Sequence, residues 1–286
     1  METAVAPGKT ARRAANPVGT ARRARRWNPL VLGLQALVFV AAIGLWQLVT
    51  ATGLIKKFFI SQPTLVGARL VQWFSTGTIW KHIEATMYET VLSFAIGVGL
   101  GIAFGFLLAR SDLLAKVFSP YLAMLNALPR VVLAPIFVLW FVMGSNSKIA
   151  LGVSLVFFIV FYNTFQGVRE ADRRVIDKAR MLGASEWQVV RHVQFPSAMT
   201  WILSSLHTSV GFALAGVVVA EYLGSTKGIG YLVSFAEGTF DSTGVFAGMT
   251  VLAVVVVLIE FGITPIERRL LRWQPQREGA TRARAV

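Results

Sequence analysis

Cysteine is absent from all 286 residues, so the chain has no disulfide frame, no thiolate metal site and no thiol nucleophile. Histidine is scarce: His82, His192 and His207 fall in different segments, and none belongs to an H-E-x-x-H pair. No G-x-S-x-G elbow and no G-x-x-x-x-G-K-[ST] phosphate loop occurs. Gly224, Gly228 and Gly230 around Lys227 lack the strand-and-helix frame of a nucleotide loop. These gaps leave no catalytic residue, metal-ligand set or cofactor motif to assign. Charge is sparse, at 15% of residues, and acidic residues number 14 against 28 basic ones. Period-two alternation is missing, which argues against a transmembrane barrel.

What the chain has is apolar length. Hydrophobic residues make up 55% of it, and the mean hydropathy is +0.62. Six runs approach the roughly 20 residues needed to cross a hydrocarbon core about 30 Å thick, at about 30–50, 88–109, 122–143, 149–165, 201–219 and 245–263. The expected fold is all-α, a polytopic bundle of about six transmembrane helices. Basic residues sort by loop. Lys9, Arg12, Arg13, Arg22, Arg23, Arg25 and Arg26 precede the first run, and Arg110 and Lys116 follow the second. Arg169, Arg173, Arg174, Lys178, Arg180 and Arg191 follow the fourth; Arg268, Arg269, Arg272, Arg277, Arg282 and Arg284 follow the sixth. The alternate loops hold only Lys56, Lys57, Arg69, Lys81, Lys148 and Lys227. The positive-inside rule places both termini and the 169–196 stretch in the cytoplasm. The net charge of +14 is therefore a topology signal plus attraction to anionic lipid, not a mark of nucleic-acid binding. A basic tail over 1–28, rich in Ala, Arg, Gly and Pro, is expected to be disordered. The run behind it is long and lacks a cleavage site, so it is expected to stay as a first span. The transmembrane domain covers 29–273, and a basic tail covers 274–286.

Along the chain, Ser61-Gln62-Pro63-Thr64 marks a helix start, and Leu65, Arg69, Leu70 and Trp73 suggest an amphipathic helix at the outer interface. Gly97, Gly101 and Gly105 recur every fourth residue, with Ala95, Gly99 and Ala103 on another face. Such spacing lets helix backbones approach, either for plain bundle packing or as a sliding face. The third run is interrupted by Pro129 and Pro135, with Asn126 and Arg130 beside them. Arg130 has two readings: an anchor that snorkels or pairs, or a contact for a transported solute. Ser204, Ser205, His207, Thr208 and Ser209 open the fifth run and suit a polar path, though His207 also suits an interhelical bond. Glu221 reads as a structural acceptor before a proton carrier, and it completes the candidate pathway set. Glu237 and Asp241 are expected to be solvated in an outer connection.

The most informative stretch is 169–196, a basic segment between two apolar runs. Residues 172–182 have helical composition, Gly183 can end that helix with positive φ, and Ser185 with Gln188 forms a capping box for a second helix. That second helix is expected to reach about Gln194 and meet Pro196. This is a helix–turn–helix platform on the cytoplasmic face; the plainer alternative is an amphipathic pair resting on lipid headgroups.

The platform resembles the EAA loop of inner-membrane permeases of binding-protein-dependent ABC importers, whose pattern is E-A-A, three residues, Gly, nine residues, I-x-L-P. Here Asp177-Lys178-Ala179, Gly183 and Val193-Gln194-Phe195-Pro196 keep every spacing, with Asp for Glu, Lys for Ala, Val for Ile and Phe for Leu. Ala127-Leu128-Pro129, Leu133-Ala134-Pro135-Ile136, Leu139-Trp140-Phe141, Ser147-Lys148-Ile149, Ala220-Glu221-Tyr222-Leu223-Gly224, Gly228-Ile229-Gly230-Tyr231-Leu232 and Glu267-Arg268-Arg269 narrow the likeness to the sulfonate/nitrate/taurine type, over about 54–273. The resemblance implies a type I importer permease fold in a bacterial inner membrane. It implies a second permease subunit in a homodimer, a cytoplasmic ATPase dimer that uses ATP and Mg, and an extracytoplasmic solute-binding protein. Asp177, Lys178, Ala179, Gly183, Ala184, Ser185, Val193, Phe195 and Pro196 would meet the ATPase. Without the resemblance, an ATP-independent secondary transporter or channel remains the alternative; it would show inverted repeats, and none is evident.

Overall fold

A computed structural model describes residues 29–141 and 144–270, with side chains through 263. The two basic tails and residues 271–273 lie outside the described residues. By contacts, the chain divides after Leu45 into two units. The described part of the first unit is the front of α1 (Pro29–Ala51), apolar on every side and exposed throughout. A helix with no polar face has no seam to bury and suits lipid all round.

The second unit contains everything from Trp46 onward. After α1 come α2 (Lys57–Ile60), α3 (Pro63–Ser75), α4 (Trp80–Ala109), α5 (Asp112–Ala127) and α6 (Ala134–Phe141). Then follow α7 (Ser145–Arg169), α8 (Arg173–Met181), α9 (Glu186–Val189), α10 (Phe195–Gly224), α11 (Ile229–Gly238) and α12 (Ser242–Leu270). Among the described residues, five helices are long and apolar enough to span a membrane, six if the bent α5–α6 pair is one span.

The bundle is built around α7, held between α4 and α10. Its burial follows from small residues on its neighbours. A β-carbon at Gly97 would lie 2.7 Å from Val156, at Gly101 2.8 Å from Val160, and at Gly105 2.7 Å from Thr164. The four-residue stripe on α4 thus receives a four-residue ridge on α7. On the opposite side a β-carbon at Gly216 of α10 would meet the Cα of Gly152 at 2.9 Å. Lipid supplies no hydrophobic drive between helices, so this close van der Waals contact holds them. Gly99, on the other face of α4, meets open space. A cluster of Ile79, Leu214, Ile229, Val251 and Val255 ties α4, α10, α11 and α12 together, with Leu70 and Trp73 of α3 packed on it. The amphipathic helix expected after Pro63 is α3.

Two elements differ from the sequence expectation. The third run begins earlier, at Asp112, and is bent by 85° between α5 and a 3-10 turn (Arg130–Leu133) that leads into α6. Pro129 forces Leu128 into extended backbone (φ −68°, ψ 130°) and supplies no N–H, so the helix stops there. The second loop helix does not end at Pro196. It passes through a wide π turn (Val190–Gln194) directly into α10, so residues 186–224 are continuous helix. The π turn shifts the carbonyl register just ahead of Pro196, where the missing donor is no loss.

Candidate functional site

The 169–196 platform is locked by its own caps. Asp172 Oδ1 accepts from Arg174 N–H at 2.9 Å and starts α8. Gly183 ends α8 at φ +85°, with its N–H on Arg180 O (2.9 Å) and the Ala184 N–H on Ala179 O (3.0 Å). This bond pair is a Schellman motif and requires the left-handed residue at Gly183. Ser185 caps α9: its N–H donates to Gln188 Oε1 at 2.8 Å, and the Gln188 N–H returns to Ser185 Oγ at 3.4 Å.

One stabilising pair had no sequence signal. Arg180 donates from Nε (2.9 Å) and Nη2 (3.1 Å) to the two carboxylate oxygens of Glu186, bridging α8 and α9 across the glycine turn. A six-residue separation matches no helical period, so only the turn geometry brings the two together. At its root the platform joins the bundle through an Arg169–Asp112 ion pair and a Trp201 Nε1–H to Glu170 bond of 2.7 Å.

The tip of this charged platform is apolar. Met181 is 87% exposed, Leu182 88% and Trp187 67%. A cavity of about 370 Å³ opens between the two helices, lined by Ala179, Gly183, Ala184, Val189 and Val193 among others. Of the remaining motif residues, Asp177, Lys178, Ser185 and Pro196 are exposed, and Phe195 stacks on Phe106 with ring centres 5.8 Å apart. Large apolar side chains presented beside charges suit docking to a protein or resting on lipid headgroups.

The candidate pathway residues do not form one site. Arg130 donates to Asn126 Oδ1, four residues back on α5, and its guanidinium sits 4.4 Å from the centre of the Phe158 ring on α7. Its Nε is buried without a partner among the described residues. On α10, Ser204 and Thr208 are exposed, while Ser205 is buried and donates to Ile202 O at 2.7 Å. His207 Nε2 lies 3.4 Å from Glu260 Oε2 of α12. Glu221 is 14 residues further on, about 21 Å along the helix.

Glu221 belongs instead to a network at the far end of α10 from the platform, one that sequence reading largely missed. The side chain is fully buried and accepts from Thr86 Oγ1 at 2.7 Å and from the Gly230 N–H at 2.8 Å. The Ile229 N–H donates to Thr86 Oγ1 at 2.9 Å, and the Gly228 N–H to His82 Nδ1 at 3.1 Å. The first amides of α11 are thus capped by side chains of α4 and α10, because Gly228 has none of its own. Next to this network Lys148 Nζ donates to Glu89 Oε1 at 2.8 Å, both side chains at most 5% exposed.

Two loop assignments are corrected by these contacts. Lys148 is not a loop charge but half of a buried ion pair, its side chain turned inward from the first turn of α7. Asp241 is not simply solvated: it accepts from Arg69 Nη1 at 2.5 Å and from the Gly244 N–H at 3.0 Å. Burial pushes its carboxyl up, but those two donors outweigh it and hold the pKa below the ordinary aspartate value. Glu237 is exposed, as expected, and also accepts from the Tyr222 hydroxyl.

Comparison with known proteins converges on one family. The family model described as binding-protein-dependent transport system inner membrane component matches residues 97–272. A putative aliphatic sulfonates transport permease protein of Bacillus subtilis (strain 168) is 33% identical, over 83% of this chain and 86% of the relative. A riboflavin transport system permease protein of Chloroflexus aurantiacus is 30% identical, over 88% of this chain and 94% of its own length. A taurine transport system permease protein of Escherichia coli (strain K12) is 30% identical, over 80% and 85%. In fold, the chain is similar to the inward-facing MetNI methionine ABC transporter, with a TM-score of 0.56 at 18% identity, covering 67% of this chain and 94% of that one. With a matching model over most of the bundle and relatives aligned nearly end to end, the chain belongs to the binding-protein-dependent transport system inner membrane component family, as a multi-pass permease subunit of the ABC-importer kind.

Proposed function

We propose that this chain pairs with a second copy to form the path for a small anionic solute, with ATP hydrolysed by a separate cytoplasmic ATPase dimer seated on the 169–196 platform. An extracytoplasmic binding protein delivers the solute. The basic residues around 110–116 and 169–191 support a cytoplasmic platform with both termini on the same side. The sulfonate and taurine relatives support an anion such as a sulfonate, nitrate or carboxylate. Asn126, Arg130, Ser204, Ser205, His207 and Thr208 remain the proposed pathway set, with Arg130 and Asn126 at the bend where the backbone opens, while Glu221 holds the end of α10 to α4 and α11.

The observation that carries the mechanism is the unbroken helix from the platform into α10. The caps and the Arg180–Glu186 pair make the platform one stiff body, so a push on its apolar tip is a push on α10. The α10 helix, about 45 Å long at 1.5 Å per residue, carries that displacement to its outer end, where Glu221 grips α4 and α11. ATP and its Mg ion act in the ATPase; this chain converts ATPase closure into helix movement.

Gly183→Val tests the lever. It forces a β-branched residue into φ +85°, at a cost of about 1–2 kcal/mol, and disturbs the turn between α8 and α9. The variant is expected to insert into membranes normally, to lose ATPase in pull-downs and to abolish uptake. Wild-type transport with full ATPase recovery would refute this role.

A further inference from the structure

We propose that an aromatic lip, built from α2 and the turn between α11 and α12, is a surface on which the extracytoplasmic solute-binding protein docks. The proposal rests on the importer reading above and gives its delivery partner a place on this chain. On that reading α1 emerges outside at its C-terminal end, which sets α2 and the lip on that side. Phe58, Phe59 and Phe240 form the lip and are 57%, 66% and 76% exposed. The Phe240 ring stacks loosely on Phe58, with centres 6.3 Å apart, and Phe59 meets Phe58 edge-on at 5.4 Å. Two hydroxyl contacts fasten α2 to the turn: Ser242 Oγ donates to Lys57 O at 3.2 Å, and Ser61 Oγ lies 2.8 Å from Thr243 Oγ1.

The lip is held in a strained conformation. A Schellman pair closes α11, with Phe240 N–H on Glu237 O at 2.9 Å and Asp241 N–H on Ala236 O at 2.7 Å. It puts Phe240 at φ +56°, the position where glycine is usual. Among the described residues only Ser61 and Phe240 carry a β-carbon at positive φ, and both stand in this lip. Burial within the chain does not offset the strain at Phe240, since most of its surface is open. Strain that the fold itself leaves uncompensated points to a contact with something else. Lipid is fluid and its attraction for apolar groups is non-directional, so it gains nothing from a ring fixed in advance. A protein pocket has a fixed shape and favours a preorganised aromatic anchor. Lys56 and Lys57 stand exposed at the foot of the lip, while the nearby carboxylates are engaged, Asp241 by Arg69 and Glu237 by the Tyr222 hydroxyl. The complementary partner surface is therefore an apolar pocket with an acidic rim.

The test places photoreactive benzoylphenylalanine at position 240 of the full chain in intact cells and identifies the adduct by mass spectrometry. An adduct with a solute-binding protein is expected, reduced at least fivefold by Lys56→Glu/Lys57→Glu. Phe240→Gly separates docking from folding, because glycine accepts φ +56° without strain. With the photoreactive group moved to position 59, Phe240→Gly should cut the adduct at least tenfold while the melting temperature of the purified chain stays level or rises. A lowered melting temperature alongside the lost adduct would mark Phe240 as a structural ring and overturn the proposal. Adducts confined to lipid or to a second copy of this chain, no adduct, or an undiminished adduct in Phe240→Gly would also overturn it while leaving the importer reading intact. Failure of the chain to capture any ATPase would sink the importer reading and the docking lip with it.

Discussion

Gly228→Ala should be among the most destabilising single-methyl additions in the outer half of the bundle. Gly228 holds φ 114° and ψ 165°, a region open essentially to glycine alone, and any side chain there costs about 1–3 kcal/mol. The added methyl would also fall on the Glu221 carboxylate. Moving that carboxylate breaks its bonds from Thr86 Oγ1 and the Gly230 N–H, and hydrogen bonds to a charged group are worth about 1.5–3 kcal/mol each. Since only part of the network need be lost, the expected total is about 3–6 kcal/mol. Reversible unfolding in mixed micelles measures it, in a double-mutant cycle with Glu221→Ala. With the carboxylate gone, Gly228→Ala should cost only the backbone part, about 1–3 kcal/mol, giving a clear coupling energy. A single-variant loss below about 1 kcal/mol, or strict additivity in the cycle, would refute the trans-capping account.

Lys148→Met leaves Glu89 buried without its counter-charge and should lose about 3–5 kcal/mol, whereas Glu89→Gln/Lys148→Met should recover most of that in the same unfolding assay. Asp241 has its folded pKa held below the unfolded aspartate value of about 3.9, so its contribution is present above about pH 4 and is lost as pH falls through the folded value. Acid titration of stability should therefore be shallower in Arg69→Gln, and an unchanged acid limb would show that Arg69 does not depress Asp241. The absence of cysteine makes orientation directly readable: a cysteine at position 226 should react with an impermeant thiol reagent in intact cells, and one at position 185 should not. The reverse labelling would invert the topology.

Much of this architecture was written in local sequence. The apolar runs, the Gly183 stop and the Ser185–Gln188 box depend on neighbours a few residues apart, and each appears where its chemistry demands. The glycine stripe on α4 was also legible, although its partner ridge at Val156, Val160 and Thr164 was not, since nothing local names the opposing helix. The outer network escaped for the same reason. His82, Thr86, Gly228 and Glu221 lie up to 146 residues apart and meet only when α4, α10 and α11 assemble. Lys148 looks like a loop charge in sequence because hydropathy cannot show that a carboxylate waits at Glu89. Pro196 read as a helix end because a π turn just before it leaves no composition signal.

The account stands most directly on one measurement, the mass of the particle that this chain forms. Tagged chain purified in mild detergent from its native membranes and weighed by native mass spectrometry should carry two copies of itself with two copies of an ATPase. The Gly183→Val chain should appear without the ATPase. A chain that moves solute in reconstituted vesicles with no ATPase bound and no ATP supplied would contradict the account.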